Sequence, residues 1–431
     1  MQNIQTESFL LDAKSYWCRW SKVMAILFFT VSLPAYALSL QEAEALTLNN
    51  DLLAQSQFTR QRALNESAVA DGQLNDPQMT VGLFNAPLDK FDLDSEPNTQ
   101  FRLGVNQSFP RGDTLEFRAQ QTQWSGQERY YQAQDQLAQS LRSTREHFLD
   151  VYYAVGAQII IHQSHQYFSQ LVDIAESFYR VGRVNQNDVL RAQLELSRLH
   201  ERVIIQQKNE HIARAALSRW LDMRAYEELQ QDFPQLAQIS PEQSIIDHLI
   251  LHPKVRASDS TIAYFQQGVA IAKEQYKPGW TLGIEYRKRF GDELNGTERD
   301  DQMAALVKVD LPLFTDKRQD RRLSSSQYQV SAVKDVRADQ LHVLRQAVLR
   351  EYSTYSKLAE QSHLYTTRLL PDAQANSNAS LKAYQSGVVE FTTLARARIT
   401  QLDIQLEALR IKTEQAKAQA RILYLMTKEQ A

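Results

Sequence analysis

From Arg111 to Val181 the chain contains no proline and only three glycines, Gly112, Gly126 and Gly156. A stretch of that length without a strong breaker, rich in Gln, Arg, Glu, Ala and Leu, predicts one long α-helix. At 1.5 Å per residue such a helix runs roughly 100 Å, far beyond the width of a compact domain. Leu137, Leu141, Phe148, Tyr152, Val155 and Ile159 recur along it at coiled-coil-like spacing and predict a narrow apolar seam. The shortage of breakers is general: 13 Gly and 11 Pro in 431 residues, about half of average usage. Sandwiches, propellers and doubly wound sheets need far more turns. Hydrophobic residues at 43% and charged residues at 23% argue against disorder. A net charge of -3 lacks the basic footprint of a nucleic-acid-binding protein.

The N-terminus sets the compartment. Lys14, Arg19 and Lys22 precede an apolar run from Val23 to Leu33, and Ala35-Tyr36-Ala37 offers a small-x-small cleavage site. This is the pattern of a secretory signal peptide over residues 1–37, and the run is too short to span a bilayer. The single cysteine, Cys18, precedes it, so a mature chain from about Leu38 has no thiol for disulfides or metal.

Punctuation repeats at an offset of about 200 residues. Asp76-Pro77-Gln78-Met79-Thr80-Val81-Gly82-Leu83 parallels Lys277-Pro278-Gly279-Trp280-Thr281-Leu282-Gly283-Ile284. Ser108-Phe109-Pro110 parallels Asp310-Leu311-Pro312, and Tyr179-Arg180-Val181-Gly182 parallels Tyr384-Gln385-Ser386-Gly387. Two repeats are expected, residues 38–222 and 241–428, joined by a linker over 223–240. Each reads helix, two strands, long helix, Gly turn, helix. Half-length helices are expected over Leu40–Asn75, Asp188–Trp220, Pro241–Tyr276 and Glu390–Met426, and the second long helix over Leu313–Gln385.

Strands are expected at about 77–85, 99–109, 278–290 and 301–311. Phe101, Leu103, Val105 and Phe109 alternate with Arg102, Gly104, Asn106 and Ser108. Such alternation fits either a half-buried hairpin or a transmembrane β-barrel. The export signal, and the lack of another element to cover these strands, favour the barrel. Four strands fall short of the roughly eight of the smallest bacterial barrels, so the barrel must be shared between chains.

With these features the chain resembles the TolC-type family of outer-membrane efflux proteins. The resemblance rests on the duplicated half, the proline-marked strand pairs, and the turns Tyr179-Arg180-Val181-Gly182 and Tyr384-Gln385-Ser386-Gly387 with the Leu-containing helices that follow. It implies a mainly α chain with a small β part, built as long helical hairpins. Three copies would form an α-barrel tunnel in the periplasm topped by a shared twelve-stranded β-barrel in the outer membrane of a Gram-negative bacterium. It also implies a homotrimer docked to a periplasmic adaptor (membrane fusion protein) and an inner-membrane pump of the RND type, with no cofactor.

The same resemblance places the Gly turns at the periplasmic tip, making Val181, Gly182, Ser386 and Gly387 candidate adaptor contacts. Any helical hairpin also needs such a glycine. Some relatives carry two gate Asp residues at positions held here by Thr393 and Arg396. Asp188 and Glu390 are then the nearest acidic gate candidates, with Arg191, Arg396 and Arg398 as partners, or all five are solvated charges. The strand-connecting loops carry Asp89, Asp92, Asp94 and Glu96, then Asp292 and Glu293. These read either as an acidic, cation-favouring mouth or as solvated loops. His162/His165 and His248/His252 lack the third ligand of a zinc site, and no catalytic motif is present. The expected function is a passive duct, with heavy-metal cations as the cargo suggested by the compact chain. A multidrug or type I secretion duct is the alternative, and a periplasmic coiled-coil adaptor the alternative of another class.

Overall fold

A computed structural model describes residues 37–89 and 92–427 of the chain. The expected signal sequence up to residue 36, with Cys18, lies outside the described residues. Nine α-helices are described: α1 Leu40–Asn50, α2 Leu52–Asp71, α3 Thr114–Arg180, α4 Gln186–Leu221, α5 Glu242–His248, α6 Pro253–Glu274, α7 Gln319–Leu364, α8 Leu370–Gln385 and α9 Phe391–Leu425. The strands are β1 Gln78–Phe84, β2 Gln100–Phe109, β3 Gly279–Arg289 and β4 Gln302–Asp310. The chain is therefore mainly helical with one small antiparallel sheet.

Helix α3 is unbroken over 67 residues and spans about 100 Å. Its buried stripe differs from the expected one. Ile159 is exposed and Leu137, Leu141, Tyr152 and Val155 are half-buried, whereas Thr144, Phe148, Val151, Ala154, Ala157, Ile161, Ser164, Phe168, Leu171 and Ala175 are buried. Small residues such as Ala154, Ala157 and Ser164 alternate with Phe148, Ile161 and Phe168 in this stripe, because neighbouring helices lie against α3 along its length. The apolar contacts form three separate clusters rather than one core. One gathers Ala138, Leu344, Val348 and Ile422, one Leu40, Phe148, Leu217 and Trp220, and one Phe168, Leu199, Tyr384, Phe391 and Leu402.

Three of the expected continuous helices are interrupted, each for a local reason. Asp51 breaks the first: its carboxylate accepts from the N–H groups of Leu53 and Ala54 at 3.0 and 3.1 Å and so starts α2. That carboxylate is buried and also accepts from Ser140 at 2.6 Å, tying the break to α3. Pro253 breaks the third by holding His252 extended, φ -64 and ψ 135, at the N-cap of α6. Pro371 interrupts the second long helix, where Tyr365–Leu369 widens into a π turn between α7 and α8. A proline removes one N–H and crowds the carbonyl four residues back, and a π turn is one way to accommodate it. Residues 222–240 are pinned rather than loose. Arg214 donates to the carbonyls of Ala225 and Glu227, both at 2.8 Å, and Leu38 bridges Leu229.

The strands form a meander in the order β1-β2-β3-β4, antiparallel throughout. Both hairpin loops lie at one end, and at the other end every strand leads into a helix. Glu274 fastens that junction. Its buried carboxylate accepts from the Asp113 N–H at 2.8 Å and pairs with Lys277 at 2.7 Å. Gly112 turns at φ 48, and a side chain there would collide with the same carboxylate.

His252 makes stability depend on pH. Its Nδ1 accepts from the Lys254 N–H and its Nε2 donates to the Tyr424 carbonyl, both at 3.2 Å, so the neutral ring fills both roles. Burial pulls its pKa below the ordinary 6.5, with Asp135 opposing. The unfolded chain then binds the extra proton, so this stability is present above about pH 6.5 and is lost as pH falls toward the lower folded pKa. We expect the thermal midpoint to fall with acidification below that pH. His252→Asn keeps a capping side chain, costs about 1–2 kcal/mol at neutral pH, and should flatten the dependence in melts recorded across pH 5–8.

Candidate functional site: a two-faced sheet and a helical tip

The register sorts the sheet into two unlike faces. Met79, Val105, Ile284 and Ala305 lie side by side, as do Val81, Leu103, Tyr286 and Met303. Phe101, Leu83, Leu282, Val307, Trp280 and Val309 complete this face, with Gln107 and Lys288 as its polar members. It is open: Met79 is 70% and Ile284 62% exposed. The other face carries Thr80, Gly104, Glu285 and Ala304 in one row, and Gly82, Arg102, Arg287 and Gln302 in the next. Leu306 and Phe84 are its exposed apolar exceptions. The outer edges of β1 and β4 have no strand partner among the described residues.

At the far end of α3 the chain reverses twice in similar geometry. Gly182 has φ 73 and donates to the Tyr179 carbonyl at 2.9 Å, while Arg183 donates to Phe178 at 2.8 Å. Gly387 has φ 75 and donates to Tyr384 at 3.0 Å, while Val388 donates to Ala383 at 2.9 Å. A left-handed residue closing the last helical turn favours glycine. The two turns are neighbours: the Phe178 and Tyr384 rings are 5.8 Å apart, and the Tyr384 and Phe391 rings 5.9 Å apart. Val181 and Val388 stand in the open, 66% and 77% exposed.

No family model and no curated protein matches this sequence. Solved structures do. The outer-membrane channel OprN matches with a TM-score of 0.76 at 15% identity, over 90% of each chain. CusC, described in terms of transmembrane channel formation, matches at 0.75 and 14%, over 91% of this chain and 93% of its own. The outer membrane protein VceC from Vibrio cholerae matches at 0.72 and 15%, over 90% and 96%. The fold is that of outer-membrane channels.

Within this channel fold the sequence-derived site residues separate into distinct groups. Val181, Gly182, Ser386 and Gly387 come together at the paired turns, all exposed. Asp188 lies close enough to Tyr384 to hold the phenol pKa up, after burial, the larger cause. Arg191, Glu390 and Arg396 are exposed and form no ion pair among the described residues. Arg398 is different: it is buried, donates to Gln401 at 3.1 Å, and stacks on Tyr167 at 4.9 Å. Burial lowers its pKa. The suggested pairing of Arg398 with Asp188 or Glu390 is therefore not made within the chain.

Asp89, Asp92, Asp94, Glu96, Asp292 and Glu293 all lie exposed in the two loops at the sheet's free end. Counting loop acids alone missed the cations on β3. Lys288 pairs with Glu298 at 3.0 Å and Asp301 at 3.5 Å, and Arg289 approaches Glu293 at 3.8 Å. The alternation rule would have found them, because they end a strand whose loop was read separately. No helix among the described residues is long and apolar enough to cross a membrane.

The Tyr384 hydroxyl is buried without a hydrogen-bond partner. Tyr384→Phe keeps the contacts with Phe178 and Phe391 and removes an unsatisfied group. We expect it to raise stability by about 1 kcal/mol, read as a higher thermal midpoint in detergent.

Proposed function

We infer that the chain is a TolC-type outer-membrane efflux protein: a passive duct that receives its solute from an inner-membrane pump through a periplasmic adaptor. The two-faced, four-stranded sheet with two free edges carries this reading. In lipid an apolar face is stable only if every edge N–H and C=O is paired, and three such sheets closing edge to edge meet that demand with twelve strands. The polar face then lines the lumen, and the helices below continue as a periplasmic tunnel. The likeness to outer-membrane channels supports the same assignment, as does the N-terminal export pattern. The paired Gly turns, with exposed Val181 and Val388, supply the surface for adaptor hairpins. Asp188, Arg191, Glu390 and Arg396 face the neighbouring copies and close the tip by pairing between chains. An RND-type pump supplies the energy.

For cargo, the compact chain suggests heavy-metal cations. Among the described residues no group of three His, Cys, Asp or Glu side chains is placed to hold a metal, and a duct need not bind what it conducts. The arginines on the polar face favour a second reading, an organic-solute duct.

The full chain should extract from the outer membrane with detergent as a trimer and conduct in planar bilayers. A urea-soluble monomer would instead identify an adaptor. Val105→Arg and Ile284→Arg, on the lipid-facing side, should each cost about 2–4 kcal/mol at mid-membrane and abolish trimers on semi-native gels. Thr80→Arg, on the other face, should leave them intact. For the tip, Glu390→Gln and Arg396→Gln should raise resting conductance; unchanged conductance in both would remove these residues from the gate.

A further inference from the structure

The polar face of the sheet holds an arrangement that paired strands ordinarily avoid. Arg102 on β2 and Arg287 on β3 stand directly opposite each other in the register, and like charges so placed destabilise a sheet. One carboxylate serves both. Glu285 accepts from Arg287 Nε at 2.5 Å and lies 3.9 Å from Arg102 Nε. The Arg102 guanidinium lies over the Phe84 ring at 4.2 Å, and its Nε has no hydrogen-bond partner. A ring face beneath a guanidinium favours the cation without neutralising it. Gly82 and Gly104, beside these residues on the same face, carry no side chain that would cover them. Arg289 adds a third cation toward the loops.

We propose that Arg102 and Arg287, repeated by symmetry, form a cationic ring inside the barrel that makes the duct favour anions. The solute class it fits is small organic anions bearing carboxylate or sulfonate groups. The inference rests on the duct reading, which supplies the closed barrel and the inward direction of this face. Each chain brings two guanidinium groups and one carboxylate to this level, so the ring keeps a net positive charge. It sits within a wall backed by lipid, where charge acts over longer distances than in open solvent. The acidic loops lie outside this wall in water, and Lys288 and Arg289 already meet part of their charge.

Reversal potentials of the full-length trimer in a potassium chloride gradient test the proposal. Wild type should favour chloride, with a preference that fades as ionic strength rises and screening shortens. The double variant Arg102→Gln, Arg287→Gln should lose that preference several-fold while keeping its conductance. Glu285→Gln should shift the potential the opposite way. A double variant that conducts with the wild-type reversal potential would overturn the ring. So would a cation preference in wild type that disappears when Asp92, Asp94 and Glu96 are neutralised, which would assign selectivity to the mouth. A folded, detergent-extracted wild type that passes no current would instead refute the duct.

Discussion

A four-stranded meander with one apolar face and two free edges is stable alone in neither water nor lipid. In water, the exposed Met79, Val81, Val105, Ile284 and Val307 leave apolar surface hydrated at about 25 cal/mol per Å². In lipid, the outer N–H and C=O groups of β1 and β4 cost several kcal/mol each if left unpaired. In the proposed trimer, closure against further copies would remove both penalties together. The rest of the proposed architecture depends on it. All four strands pass into helices at one rim, so a closed barrel must continue as a ring of helices. The junction at Glu274, Lys277, Asp113 and Gly112 ties the β2–α3 and α6–β3 connections together.

Long helices packed side by side, with exposed residues along much of their length, cannot build one thick core. The chain instead places three apolar clusters in series and joins helices by small residues and specific polar pairs. Thr47 and Thr144 meet at 2.7 Å, and Asp51 and Ser140 at 2.6 Å. Lys417 pairs with Asp150 between α9 and α3. Burial works against both charges, yet Asp150 is held below and Lys417 above their ordinary values, with His147 and Glu414 assisting. Such pairs set the register between helices whose apolar stripes alone would allow sliding.

Much of this was legible in the residue order. The absence of proline after Pro110 announces α3, and the alternation through Phe101, Leu103 and Val105 announces a strand with two unlike faces. Which side chains fill the seam was not legible. Hydrophobicity points to Leu137, Leu141 and Ile159, whereas close helix approach selects Ala154, Ala157 and Ser164. The break at Asp51 was hidden because its signal is a side chain capping the next helix inside an otherwise helical pattern. Pro371 was visible, but its effect here is a single π turn rather than a helix end. Arg102 and Arg287 lie far apart in sequence, and only the pairing of β2 with β3 reveals that they oppose each other.

Some buried polar groups of the helical part are fully served: Arg214 has two carbonyls and the Glu210 carboxylate, and His252 uses both ring nitrogens. Others are not, among them Gln57 Oε1, Gln134 Oε1 and Arg142 Nε on α2 and α3. Ser377 Oγ, the Tyr384 hydroxyl and Arg398 Nε are buried with no partner, at about 1–3 kcal/mol for each group left unsatisfied. All three lie on α8 and α9, beyond the π turn at Tyr365–Leu369 and beside turns whose exposed apolar residues are Val181 and Val388. Packing that leaves polar groups unpaired is easier to rearrange, because a new arrangement gives up fewer bonds than it would elsewhere. The π turn separates α8 from the firmly packed Leu344 and Val348 of α7. In the proposed duct, a rearrangement of α8 and α9 at the tip would therefore give up few hydrogen bonds.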